Sequence, residues 1–161
     1  MATPTSRVSI IIGKASSAGV RGLLQSVVII LIALLLGVTF VVGVVNAIGI
    51  IIIIVLASTC FASLSIVFAS FLRKRERFMG VIQLITMPLF FASNALYPIE
   101  LMPQPLQYVT WFNPLYYVVD SLRALLITND LSSVPFHIGV LLLITVLFVF
   151  AGSWGLRRLM D

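Results

Sequence analysis

From Gly22 to Leu72 the chain carries no charged residue. No other feature restricts the fold so severely. A soluble domain draws about a quarter of its residues from the charged types, whereas here 9% are charged and 61% hydrophobic. The apolar surface must face lipid. Since ~20 residues cross the hydrocarbon core, the run is long enough to cross twice. Gly43, Asn46 and Gly49 supply the turn-favouring residues within it, which predicts spans over 23–45 and 47–72. Residues 50–54 are all isoleucine. They would suit a buried strand in a soluble protein, but in lipid the backbone must satisfy itself, and helix is predicted.

A third span is expected over 78–96, after the cluster Arg73-Lys74-Arg75-Glu76-Arg77. Pro88 inside it removes one backbone donor and favours a kink. A fourth span is expected over 136–156, ending at Arg157-Arg158. Every basic residue except Arg123 falls into one of three groups: Arg7/Lys14/Arg21, the 73–77 cluster, or Arg157/Arg158. Four crossings put all three groups on one side, and the positive-inside rule makes that side the cytoplasm, with both termini. This placement at the edges of apolar runs assigns the net charge of +5 to the membrane rather than to nucleic acid. Met1 to Arg21 lacks the short apolar core and cleavage site of a signal peptide, so the internal helices are expected to act as uncleaved signals. The expected location is the cell membrane, crossed several times.

Residues 97–135 then lie outside, with Glu100, Asp120 and Asp130. Most of the prolines are here, among Tyr97, Tyr108, Trp111, Phe112, Tyr116 and Tyr117. Such aromatics favour the headgroup level, which suits either an interfacial belt or an element that dips back into the bilayer. Asn113-Pro114 favours the second, because Asn caps a helix and Pro suits its first position. Leu115, Val118, Val119, Leu122, Leu125 and Leu126 follow at helical spacing, on a helix too short to span. Asp120 and Arg123 are spaced to pair on it. That pair is either structural or part of a pathway or gate.

At the N-terminal end, Thr3-Pro4 can open a helix. Arg7, Lys14 and Arg21 recur every seven residues beside an apolar stripe of Val8, Ile11, Ile12 and Ala15, as in a helix lying on the membrane surface. It either anchors to acidic headgroups or acts as a lever for a cytoplasmic partner. Catalytic groups are scarce. His137 is the single histidine and Cys60 the single cysteine. His-based metal clusters and internal disulfides are therefore excluded, and Cys60 reads as a small packing residue. No pair of acids falls within a predicted span, which argues against an intramembrane protease or proton relay. Gly13-Lys14 resembles the end of a phosphate-binding loop, but Val8 and Ala15 stand where Gly and Ser/Thr are needed. No cofactor is expected, and any ATP chemistry must come from another chain.

The segment Pro88-Leu-Phe-Phe-Ala-Ser-Asn-Ala-Leu-Tyr-Pro98, then Met102-Pro103, then Asn113-Pro114-Leu-Tyr-Tyr-Val-Val-Asp120-Ser-Leu-Arg123-Ala-Leu-Leu126 resembles the type-2 ABC exporter permeases. That family includes drug-resistance, Nod-factor and polysaccharide exporters. Pro4-Thr-Ser-Arg7, Gly13-Lys14 and Arg21-Gly-Leu-Leu-Gln25 are similar to the segment before the family's third membrane helix. The resemblance covers essentially the whole chain and implies the third to sixth of six spans, the first two being absent. It further implies an ATP-binding partner subunit, a second permease copy, and export of a drug-like, lipid-like or glycan substrate. Arg7, Lys14 and Arg21 would couple to the ATPase. Pro98, Pro103, Asn113, Pro114, Asp120 and Arg123 would form the outer gate region. The fold expected is an all-α integral membrane protein. It has four transmembrane helices, an N-terminal amphipathic interfacial helix, and re-entrant or interfacial helices between the third and fourth spans. The alternative is a non-transporting membrane scaffold or assembly protein, or an inactive permease fragment.

Overall fold

The computed structural model describes residues 7–41, 43–71 and 75–160, and every regular element among them is helical. In order these are α1 (Arg7–Leu35), α2 (Val44–Phe71), α3 (Arg75–Phe91), a 3-10 turn (Ile99–Leu101), α4 (Gln104–Phe112), α5 (Pro114–Arg123), a π-turn (Ala124–Thr128) and α6 (Val134–Met160). The expected helix start at Thr3-Pro4, and Arg73 and Lys74, lie outside the described residues. Within α1, α2 and α6, the segments Ser16–Leu35, Val44–Ser70 and Val134–Trp154 are long and apolar enough to cross a membrane. Phe78–Phe91 is a shorter apolar stretch. The protein is an all-α, multi-pass membrane protein.

The surface helix expected ahead of the first span is not a separate element. The polar start and the first apolar run form one continuous helix, in which the spanning segment begins at Ser16 and includes Arg21. No proline interrupts it, and its two mid-helix glycines are contact points: a β-carbon on Gly19 would touch Val55, and one on Gly22 would collide with Ser58. Small residues allow such close approach of helices in lipid.

The first connection also sits earlier than expected. Gly37 adopts φ +82°. Its amide donates to Leu34 O, and that of Val38 donates to Ala33 O, both at 3.0 Å. This is a Schellman cap, which a glycine in left-handed conformation makes without a side-chain clash. Asn46 and Gly49, expected in the turn, instead lie inside α2. Gly37 was inconspicuous in sequence because apolar residues surround it.

α2 is apolar all round, the pattern of a helix buried on several sides. It packs against α1, α3, α5, the π-turn and α6. Gly152 of α6 meets Ile66 and Val67, while Val134 and Leu141 share a core with Ile53. α2 and α6 therefore run in the same direction. That core also contains Tyr117, Val118, Ala124 and Leu125, so the tightest packing lies at the end of the bundle where α2 and α6 begin. α1 is the least buried of these three helices, with 6% of its apolar window buried.

Candidate functional site

Between α3 and α6 the chain makes short elements whose starts are fixed by proline and asparagine. Pro98 precedes the 3-10 turn and Pro103 precedes α4. Asn113 caps α5, and Pro114 takes its first position. Of the six residues expected at the outer gate, four thus set the backbone path. Leu101, Tyr108, Trp111 and Phe112 leave apolar surface exposed along the 3-10 turn and α4, the disposition of an interfacial element.

Asn113 is the centre of the junction. It is 1% exposed. Its side-chain oxygen accepts the Leu115 amide at 2.9 Å, capping α5. Its side-chain nitrogen donates to Leu89 O at 2.6 Å and Ala92 O at 3.1 Å. A helix leaves its last carbonyls unpaired, and these two belong to the end of α3. One amide therefore serves the negative end of α3 and the positive end of α5 together. Arg123 reinforces the joint: its Nη2 donates to Asn94 O at 2.9 Å, where Asn94 takes a left-handed turn at φ 61°. Asn94 Oδ1 is buried with no partner among the described residues.

The expected Asp120–Arg123 pair does not form. α5 sends the two side chains to different neighbours, Arg123 to the end of α3 and Asp120 toward α6, where its Oδ2 lies 3.7 Å from His137 Nδ1. His137 is 5% exposed. Ser121 Oγ is 3.2 Å from the same ring nitrogen. Tyr116, Tyr117 and Phe136 place their rings around the imidazole, at centroid distances of 6.0, 5.3 and 5.9 Å. Serine, histidine and aspartate are the residue types of a hydrolytic relay, but a relay uses both ring nitrogens, one for each partner. Here both partners address Nδ1 and Ser121 is fully buried. The trio joins α5 to α6 and has no nucleophile to offer.

Two further ties hold the junction. Tyr117 OH donates to Trp111 O at 2.7 Å, bracing α5 against the end of α4. Asn46, buried in α2, donates from Nδ2 to Leu125 O and to Asn129 Oδ1, each at 3.0 Å. The Val41 amide donates to Leu126 O at 2.9 Å. The π-turn is thereby tied to both the α1–α2 connection and α2 itself. Replacing Tyr117 with Phe is expected to cost about 1 kcal/mol, the ordinary net worth of one such bond. A melt of the purified protein in detergent measures it, and an unchanged midpoint would remove the brace.

Past the π-turn, Asp130 accepts from Ser132 Oγ at 2.7 Å and from the Ser132 amide at 3.1 Å. These bonds hold its carboxyl below the usual range. Lys14 and Arg21 lie on the far side of the fold from this junction, in a groove between α1 and α2. Arg7 stands at the start of α1, and its side chain is outside the described set.

Sequence reasoning located Asn113, Asp120 and Arg123 but missed the role of Asn46 and the burial of His137. An asparagine inside a long apolar helix was the available signal, since lipid offers it no partner.

Residues 1–127 match the family described as ABC-2 type transporter. The chain is 30% identical over 149 residues to nodulation protein J of Rhizobium meliloti (strain 1021), covering 92% of the chain and 56% of that protein. It is 30% identical over 152 residues to nodulation protein J of Rhizobium leguminosarum bv. viciae, covering 94% and 58%. With the bv. trifolii form it shares 28% over 149 residues, covering 92% and 56%. The chain thus spans a little over half the length of these relatives. No solved structure matches it.

Proposed function

The chain belongs to the ABC-2 type transporter family, and on that premise we propose that it is a transmembrane permease component of an ATP-driven exporter. The family match over residues 1–127 is the observation that carries this reading. In it, residues 78–96, which hold the apolar stretch Phe78–Phe91 of α3, make a fourth crossing, and both termini lie in the cytoplasm. The basic residues Lys14, Arg21 and those of 73–77 and 157–158 then meet the anionic inner leaflet. A second permease copy completes the pathway, and separate ATP-binding subunits dock below it.

ATP hydrolysis belongs to those subunits. Their closure pushes the N-terminal part of α1, from the cytoplasm into the start of its span, with Arg7, Lys14 and Arg21 as the coupling segment. The outer junction responds as a unit, because Asn113 and Arg123 fasten α5 to the end of α3 while Asp120 and Ser121 meet His137 of α6. Pro98, Pro103 and Pro114 keep this region in short, stiff segments that can tilt without melting. The cargo is an amphipathic drug-like, lipid-like or glycan molecule.

Co-expression with an ABC ATP-binding subunit tests the proposal. The two are expected to purify together from detergent and to hydrolyse ATP faster in liposomes than the subunit alone. A chain that never associates with such a subunit would sink the exporter reading.

A further inference from the structure

Lys14, Ser17, Arg21 and Gln25 of α1 face Ser58 and Ser65 of α2 across an open groove of about 540 Å³. The α1 residues recur at helical spacing, so they form one continuous stripe, and the α2 serines lie seven apart on the stripe opposite. Gly22 makes the groove possible: the helices touch there, against Ser58 and Ile54, and part on the side of Lys14. The groove is open on one side, with room for a phosphate-sized group.

Its electrostatics are one-sided. Among the described residues two cations line it and no acidic residue does. Among the described residues neither Lys14 nor Arg21 has an ion-pair partner. Arg21 also lies within the membrane-spanning part of α1, five residues after its first residue, Ser16. An unpaired cation at such depth is costly and turns toward a counter-charge or water. The Ser17 and Ser58 hydroxyls and the Gln25 amide add neutral donors, whereas Ser65 Oγ donates to Phe61 O at 2.9 Å. Fixed cations with hydroxyl and amide donors around them are the chemistry that holds a phosphate group. Beyond the groove, Leu24, Val27 and Val28 continue α1 as exposed apolar surface, on which acyl chains can lie.

We propose that the α1–α2 groove binds a phosphate-class anionic group, carried on a membrane lipid or free in the cytosol, with Lys14 and Arg21 as its charge partners. The proposal rests on α1 crossing the membrane and not on the exporter reading, so the two fail separately. A surface anchor would attract anionic lipid without selectivity of site. A groove is blocked by bulk.

Native mass spectrometry of the full chain tests it, using mixed phosphatidylglycerol and phosphatidylcholine followed by competition with inorganic phosphate. Preferential retention of phosphatidylglycerol is expected, falling on the order of tenfold in the double variant Lys14→Gln/Arg21→Gln. Arg21→Lys keeps the preference. Ala62→Phe, which fills the groove without altering either charge, lowers it. Displacement by inorganic phosphate, with no lipid preference, assigns the site to a free anion. The site is overturned if neither ligand is retained, if the neutral double variant binds as well as the parent, or if Ala62→Phe has no effect while circular dichroism shows the fold intact.

Discussion

Replacing Asn113 with alanine is expected to lower the melting midpoint of the detergent-purified protein by about 10 °C, a loss on the order of 3 kcal/mol. Losing an N-cap costs ~1 kcal/mol. Each buried carbonyl left without a donor adds ~1–3 kcal/mol, and Leu89 O and Ala92 O both lose one. The full sum overstates the effect, because the three bonds share one side chain and relax together. Asn113→Ser separates the contributions. It keeps an oxygen to cap α5 but cannot reach both carbonyls, so it should recover about 1 kcal/mol of the loss. Equal midpoints for the alanine and serine variants would show that the cap contributes nothing. A shift of less than about 2 °C for alanine would show that the α3–α5 joint is not held there.

The second large effect is expected at Gly49. A β-carbon on this residue would stand 2.8 Å from Leu125 Cδ2 and 3.1 Å from Cδ1. Alanine is tolerated only through a shift of the end of the Leu125 side chain. Leucine is not, because Leu125 is 1% exposed and already packed on all sides. Overpacking of that kind costs about 1–3 kcal/mol. Pushing the π-turn off α2 also stretches the bond from Asn46 to Leu125 O, so Gly49→Leu should approach the cost of Asn113→Ala. Leu125→Ala is the partner that should rescue it, and the rescue measures the coupling between the two sites. Gly139 is the control. A β-carbon there meets nothing within 4 Å, so Gly139→Ala should raise stability by ~0.5–1 kcal/mol through better helix propensity. If Gly49→Leu and Gly139→Ala melt alike, α2 and the π-turn do not pack as described.

The legible parts of this fold are those where one residue type has one physical answer. Asn113-Pro114 announces a helix start because the cap and the fixed φ act locally, and α5 begins there. The long uncharged run gave two spanning helices for the same reason. Their boundary was less accessible. Gly37 and Gly43 are equal as letters, but only the first takes the left-handed conformation of a cap. Gly49 looked like a turn residue, although its missing side chain serves a contact with a residue far along the chain. Pairing was the least accessible property. Asp120 and Arg123 have ideal spacing on α5, yet three-dimensional neighbours outcompete a helical neighbour, and each turns elsewhere. Nothing local to His137 indicates that three aromatic rings will enclose it.

The bond from Asn46 to Leu125 joins residues 79 positions apart in the chain. During synthesis at ~5–20 residues per second, Asn46 therefore emerges about 4 to 16 seconds before its acceptor exists. Through that interval the α1–α2 hairpin must enter the bilayer with a bare amide on α2 and an unfilled notch at Gly49. The insertion machinery, or water held at the membrane surface, has to satisfy the amide meanwhile. The joint that fastens the finished junction thus makes the half-made chain dependent on its escort.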